Sequence, residues 1–177
     1  MSTYWFELEV GPVGDLDEAA EQLYSLCGDG QLAGDEHGGT VVFSREALNA
    51  VTAILSAIDD CERSGLTVTG VMEDMVTAED IAEKTSRSEQ AVGHWITGER
   101  GPGDFPDPII RRGSRVKLYS WAEVSFWLSI AGLGRIDAVA AETAGGAVEV
   151  DALLRARKVL RAAPTAQRKA MARLVDA

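Results

Sequence analysis

The side chains in this sequence best suited to chemistry are cations, hydroxyls and an amide in its middle third, and the chemistry they fit is contact with a nucleic-acid duplex. Arg111, Arg112, Arg115 and Lys117 fall within seven residues that contain no acid. A cluster of that kind neutralises successive phosphates and releases their condensed counterions. A merely solvated hairpin is the plainer reading of the same four cations. Upstream lie Arg87, Ser88, Gln90, His94, Thr97 and, a little further on, Arg100. An amide such as Gln90 can pair with adenine through two hydrogen bonds in the major groove, whereas an arginine in a turn is placed to grip a phosphate. His94 and Thr97 are expected to meet base edges, with an ordinary exposed helix residue the other reading of His94.

Other chemistries find no support. There is no pair of carboxylates, no Ser-His-Asp set and no phosphate loop on a plausible framework, so no enzyme is expected. Cys27, Cys61, His37 and His94 are too few and too scattered for metal-ligand spacing, and no cofactor is implied. Both cysteines sit in apolar helical patterns, where the residue usually acts as a small buried hydrophobe. The turn Asp35–Gly38 reads as solvated, because neither its glycine nor its ligand spacing matches a known mechanism.

A net charge of −11 opposes the nucleic-acid reading, since a basic footprint is the usual sign of such a protein. The charge is uneven, however. Residues 1–76 carry a net −13, residues 77–128 a net −1 and residues 129–177 a net +3. Screening beyond a Debye length of about 8–10 Å makes local potential the quantity that governs docking.

The elements expected to position these residues fall into three segments of an α+β protein. The first, residues 1–74, reads as a strand over Tyr4–Val10, a helix capped by Asp15 or Asp17 and running to about Cys27, and turns around a short hairpin over Gly28–Gly39. A strand at Thr40–Phe43 follows. Ser44 then caps a helix with an apolar stripe of Leu48, Val51, Ile54, Leu55 and Ile58, ended by Gly65, and Leu66–Val71 returns as a strand. That order predicts a small ferredoxin-like domain, acidic and suited to dimerisation or sensing.

The second segment, residues 75–131, opens with Thr77-x-x-Asp80, which resembles a capping box. Ile81 and Ala82 face inward on a short helix, Ser86-Arg87 makes a turn, and Ser88 caps a second helix whose buried stripe is Val92, Trp95 and Ile96. Two short helices joined by such a turn are a helix-turn-helix. Gly98–Pro108 cannot continue the helix. Ile109–Arg112 and Arg115–Tyr119 then predict a β-hairpin wing with Gly113 at its turn, and Ser120-x-x-Glu123 a capping box before a closing helix. Helical spacing makes Trp95, Trp121 and Trp127 core residues. In the third segment, residues 132–177, Ala138–Ala147 reads as a linker or loosely packed helix. Helices over Val150–Leu160 and Ala166–Val175 follow, separated at Pro164 with Thr165 as cap.

The run VTAEDIAEKTSRSEQAVGHWITG, the pair Phe105-Pro106, the basic hairpin and the closing WAEVSFWL resemble the winged helix-turn-helix of MerR-like and excisionase-like (AlpA-type) DNA-binding proteins. The run GERGPGDFPDP, together with FSREALNAVTAILSAIDDCERSGL, is similar more narrowly to a group of actinobacterial helix-turn-helix proteins with an N-terminal α+β domain. The resemblance implies that Ser88–Thr97 is the recognition helix and Arg111–Lys117 the wing. The chain departs from the pattern at Ser86, where glycine is usual, and at Glu89 and Gly93, where basic or amide residues are common.

The expected function is a transcriptional regulator binding double-stranded DNA as a homodimer, with half-sites about one helical turn apart. A protein-interaction module of antitoxin or anti-repressor kind, docking through the acidic N-terminal domain, and an excisionase-like architectural protein are the alternatives. The opening MSTYWFELEV lacks the features of a signal peptide, and no apolar run spans a bilayer, so a cytoplasmic protein with no membrane partner is expected.

Overall fold

The structure is a computed structural model describing residues 1–112 and 116–175, with the side chains of residues 110–112, 172 and 175 outside the description. It is a mixed α+β fold with seven helices and seven strands among the described residues. Two compact units emerge from the contacts. One comprises Phe6–Ser44, Ile54–Met72 and Glu149–Ala177, the other Met1–Trp5, Arg45–Ala53 and Glu73–Val148.

The first unit holds a four-stranded sheet. β1 (Ser2–Val10), α1 (Leu16–Leu26), β2 (Gly30–Asp35), β3 (Gly38–Ala47), α2 (Ala50–Arg63) and β4 (Val68–Val71) follow in the chain, and the strands order themselves β2-β3-β1-β4. β1 pairs antiparallel with β4, and β2 with β3. Alternate residues of β1 and β3 (Phe6, Leu8, Val10, Val41 and Phe43) are buried, and Phe6 stacks on Phe43 with ring centroids 5.5 Å apart. Asp15 caps α1 by accepting from the Glu18 N–H.

Two expectations for this region are corrected. Ser44 does not cap α2: the alternation that buries Phe43 continues through Arg45 and Ala47, so β3 runs on to Ala47. Asn49 is the cap, its Oδ1 accepting from the Thr52 N–H at 2.8 Å. The buried face of α2 is Ala50, Ala53, Ile54, Ala57, Ile58 and Cys61: it keeps Ile54 and Ile58 of the expected stripe, whereas Leu48 and Leu55 are 78% and 48% exposed. Helical spacing fits both sets; only the later start of the helix chooses between them.

The free edge of β4 is covered by α6 (Ala138–Ala162). Asp151 accepts from the Val71 N–H at 3.0 Å, and Arg157 reaches the Val68 carbonyl at 3.5 Å while pairing with Glu62 at 2.7 Å. Edge strands left bare invite unwanted pairing, and these side chains occupy the β4 groups instead. α7 (Thr165–Val175) follows Pro164, so Thr165 begins the helix rather than capping it.

The second unit is built on β5 (Met75–Val76), α3 (Ala78–Thr85), α4 (Glu89–Thr97), β6 (Ile110–Arg112), β7 (Val116–Ser120) and α5 (Trp121–Ala131). Its three strands take the order β5-β7-β6. Val76, Ile81, Ala82, Val92, Trp95, Tyr119, Trp121, Val124 and Leu128 form one core with Ala144 of α6. The stretch Ala138–Ala147, expected as a linker or a loosely packed helix, is helical and opens a 25-residue helix with Ala144 and Ala147 buried. Gly146 lies inside it because a side chain there would come within 3.1 Å of the Ala50 Cβ. Glu142 ties the same stretch down, accepting from the Ala50 N–H and the Tyr4 hydroxyl, each at 3.1 Å.

Candidate nucleic-acid interface

Local hydrogen bonds set the path of α3 and α4. Thr77 and Asp80 close a reciprocal cap: the Asp80 N–H donates to the Thr77 hydroxyl at 3.2 Å, and the Thr77 N–H donates to the Asp80 carboxylate at 2.8 Å. The Thr77 hydroxyl also donates to that carboxylate at 2.7 Å, and these bonds from Thr77 hold the Asp80 carboxyl below its ordinary pKa. Ser86 stops α3 in the left-handed region (φ 52°, ψ 42°), its N–H reaching the Ala82 and Glu83 carbonyls. Arg87 N–H donates to the Ala82 carbonyl at 2.9 Å. Ser88 then starts α4 by accepting from the Ala91 N–H at 3.2 Å.

This three-residue turn leaves Ser86, Arg87, Ser88, Glu89 and Gln90 exposed, while Val92 and Trp95 are buried. The expected site residues then behave differently from one another. Arg87 and Gln90 are exposed and have no recorded side-chain partner among the described residues. The Ser88 hydroxyl is committed to its cap. The Thr97 hydroxyl is also committed, donating to the Gly93 carbonyl at 3.0 Å. His94 is half-buried, with Nδ1 2.7 Å from a Glu99 carboxylate oxygen. Arg100 is exposed, and its backbone N–H donates to the His94 carbonyl at 3.3 Å. Lys84, a cation at the end of α3, is paired with Asp74 at 3.1 Å and lies over the Trp121 ring.

The loop between α4 and β6 is held by aromatic packing. Phe105 meets Tyr119 and Trp127 edge-on at 5.5 and 5.1 Å, and Trp95 meets Trp127 at 5.9 Å. The Trp127 indole N–H donates to the Gly103 carbonyl at 2.8 Å. Gly101 has φ 102°, and a Cβ there would come within 3.2 Å of the Trp95 ring, so the position suits glycine on both counts. The three tryptophans expected in the core pack there: Trp95 and Trp121 are buried, and Trp127 is packed against the cluster.

β6 and β7 pair antiparallel in the register Ile110 to Leu118, Arg111 to Lys117 and Arg112 to Val116. Arg111 is therefore the cross-strand partner of Lys117, which is exposed. The side chains of Arg111 and Arg112, together with the whole of Gly113, Ser114 and Arg115, lie outside the described residues. The capping box expected at Ser120 does not form. Ser120 is buried as the last residue of β7, paired with Met75, and its side chain makes no cap hydrogen bond. A strand that turns straight into a helix leaves the hydroxyl facing the core.

The sequence reading missed β5 and the role of Glu99. A two-residue strand carries no periodicity to detect. Glu99 lies five residues beyond His94 and past the left-handed Gly98, so no helical spacing links them. Among the described residues no group of three or more His, Cys, Asp or Glu side chains is placed to hold a metal, and no helix is long and apolar enough to cross a membrane. No protein-family model matches the chain, and neither curated proteins nor solved structures gave a match.

Proposed function

We propose that this chain is a sequence-specific DNA-binding transcriptional regulator of winged helix-turn-helix type. The observation that carries the reading is the turn at Ser86–Ser88. It is capped on both sides and backed by a buried core, and it leaves Arg87 and Gln90 uncommitted at the exposed start of α4. Residues early in a recognition helix are those that reach base edges, with a turn cation on the phosphate. The β6–β7 hairpin, carrying Arg111, Arg112, Arg115 and Lys117, serves as the wing on the backbone. The β2-β3-β1-β4 sheet with its two helices fits a ferredoxin-like domain for dimerisation or sensing.

One such head buries only roughly 600–1,000 Å² on DNA, so a homodimer on two half-sites is part of the proposal. The protein acts in the cytoplasm without a cofactor or catalytic step. The direct test is gel retardation on a pool of random duplexes, followed by sequencing of the retained fraction. Retention should weaken steeply with salt, and replacing Arg111, Arg112 and Arg115 with alanine should lower affinity and flatten that dependence. Absence of retention at low salt refutes the reading. The exposed acids Glu89 and Glu99 favour a second reading, a protein-interaction module on the same scaffold. Co-purification with a stoichiometric protein partner and no nucleic acid would select it.

A further inference from the structure

The pairing of His94 with Glu99 fixes more than a ring position. An ionised carboxylate can only accept, so the hydrogen in the 2.7 Å contact belongs to His94 Nδ1. A neutral imidazole carries a single ring hydrogen. Its Nε2 is then left as a bare acceptor, and it has no partner among the described residues. The imidazole is 27% exposed and Glu99 is 63% exposed. His94 follows Gln90 by four residues, so the two share one side of α4, opposite the buried Val92 and Trp95.

We propose that Glu99 locks His94 in its Nδ1–H form, so that α4 offers a hydrogen-bond acceptor one turn beyond Gln90. That acceptor selects a base that presents an amino group in the major groove, adenine or cytosine, on the contacted strand. The base assignment rests on the DNA-binding reading above; the lock itself does not. In the major groove adenine N6 and cytosine N4 donate, whereas guanine O6 and thymine O4 at the corresponding places accept. A bare Nε2 therefore meets a partner in the first pair and another acceptor in the second. A ring released from Glu99 can move its hydrogen to Nε2 and satisfy guanine or thymine as well.

Glu99 is a positioning residue in this account. It also puts a carboxylate beside a surface that must approach phosphates. Its removal should thus act in two opposite senses, raising general affinity at low salt while lowering discrimination. A purely structural role for Glu99 predicts loss of both.

The test has two arms on the full-length protein. In the first, nitrogen NMR of the free protein at about pH 8, where a neutral imidazole is the rule, should show His94 as the Nδ1–H form. The Glu99→Ala variant should show a mixture containing the Nε2–H form. A wild-type ring found as Nε2–H overturns the lock. In the second arm, affinities are measured for the selected duplex and its single-base changes. Wild type should favour adenine or cytosine over guanine or thymine at one position by about fivefold or more. Glu99→Ala should bind at least as tightly overall, with that preference reduced to about twofold or less. His94→Ala should lose the same preference, and the double variant should lose no more than either single one. Undiminished discrimination in Glu99→Ala overturns the base assignment. A correct ring form in a protein that retains no duplex removes the base assignment with the DNA-binding reading and leaves the lock standing.

Discussion

The β4 edge of one unit and the α3–α4 turn of the other close their open backbone groups by different means. In the sheet unit, β4 is satisfied by side chains far along the chain: Asp151 is 80 residues from Val71, and Arg157 is 89 from Val68. Around the turn between α3 and α4, the corresponding bonds are local. Thr77 and Asp80 cap each other, Ser86 and Arg87 N–H groups return to the turn just before them, and Ser88 caps its own helix. Local closure satisfies the turn without recruiting other segments, and leaves the start of α4 open to a ligand. Distant closure covers an edge that would otherwise pair with something else.

Core truncation gives the largest effects and asks whether the units are energetically separate. Phe43→Ala and Trp121→Ala each empty a fully buried site and should cost about 3–5 kcal/mol in denaturant unfolding. Hydrogen exchange should then locate the damage: β1 and β3 for the first variant, α3, α4 and β7 for the second. Equal loss of protection everywhere would mean that the two units unfold as one.

Removing the distant closure is the next largest change. Asp151→Ala strands the Val71 N–H on a half-covered edge and should cost about 1–3 kcal/mol. Faster exchange of the Val71 amide checks it, and an unchanged rate would show that the edge has another cover.

The local closures should give smaller effects of opposite sign. Ser86→Gly relieves a left-handed serine and should stabilise by about 1 kcal/mol, read as a raised unfolding midpoint. Thr77→Ala should destabilise by about 1 kcal/mol through loss of the cap. The pH dependence of that cap follows from Asp80. Its pKa is lower folded than the ordinary value of 3.8, so the folded state binds fewer protons. The contribution is whole above the ordinary value and disappears as pH falls through the folded one. Thr77→Ala keeps the backbone N–H donation to Asp80, the larger cause of the shift, and should lose only the part due to the hydroxyl. The wild-type midpoint measured from neutral to acid pH should therefore fall slightly more steeply than the variant's.

The same division decided what could be read from the sequence. The turn at Ser86, the caps at Asp15, Thr77 and Ser88, the buried Ile81, Ala82, Val92 and Trp95, and the break at Pro164 all depend on residues within about one helical turn. Each was legible in residue type and spacing. The face of α2 was legible only in Ile54 and Ile58, because an amphipathic helix of alanines and isoleucines offers two overlapping stripes. The end of β3, two residues before Asn49, decides between them. Ser120 carried the residues of a capping box, yet pairing with Met75 drew it into the strand and buried it. Of the candidate contacts, Arg87 and Gln90 are exposed, whereas Thr97 and His94 are engaged by Gly93 and Glu99.

By itself, then, the sequence determined the α3–turn–α4 unit, including the cost of a left-handed Ser86, since every bond that shapes it closes over a few residues. The tertiary structure alone decided that Ala138–Ala147 is a packed helix, that Asp151 and Arg157 cover the β4 edge, and that Glu99 holds His94. Those features depend on chain segments meeting across a turn or a long separation. Neither periodicity nor capping chemistry records such a meeting, because both describe only what a segment can do with its own neighbours.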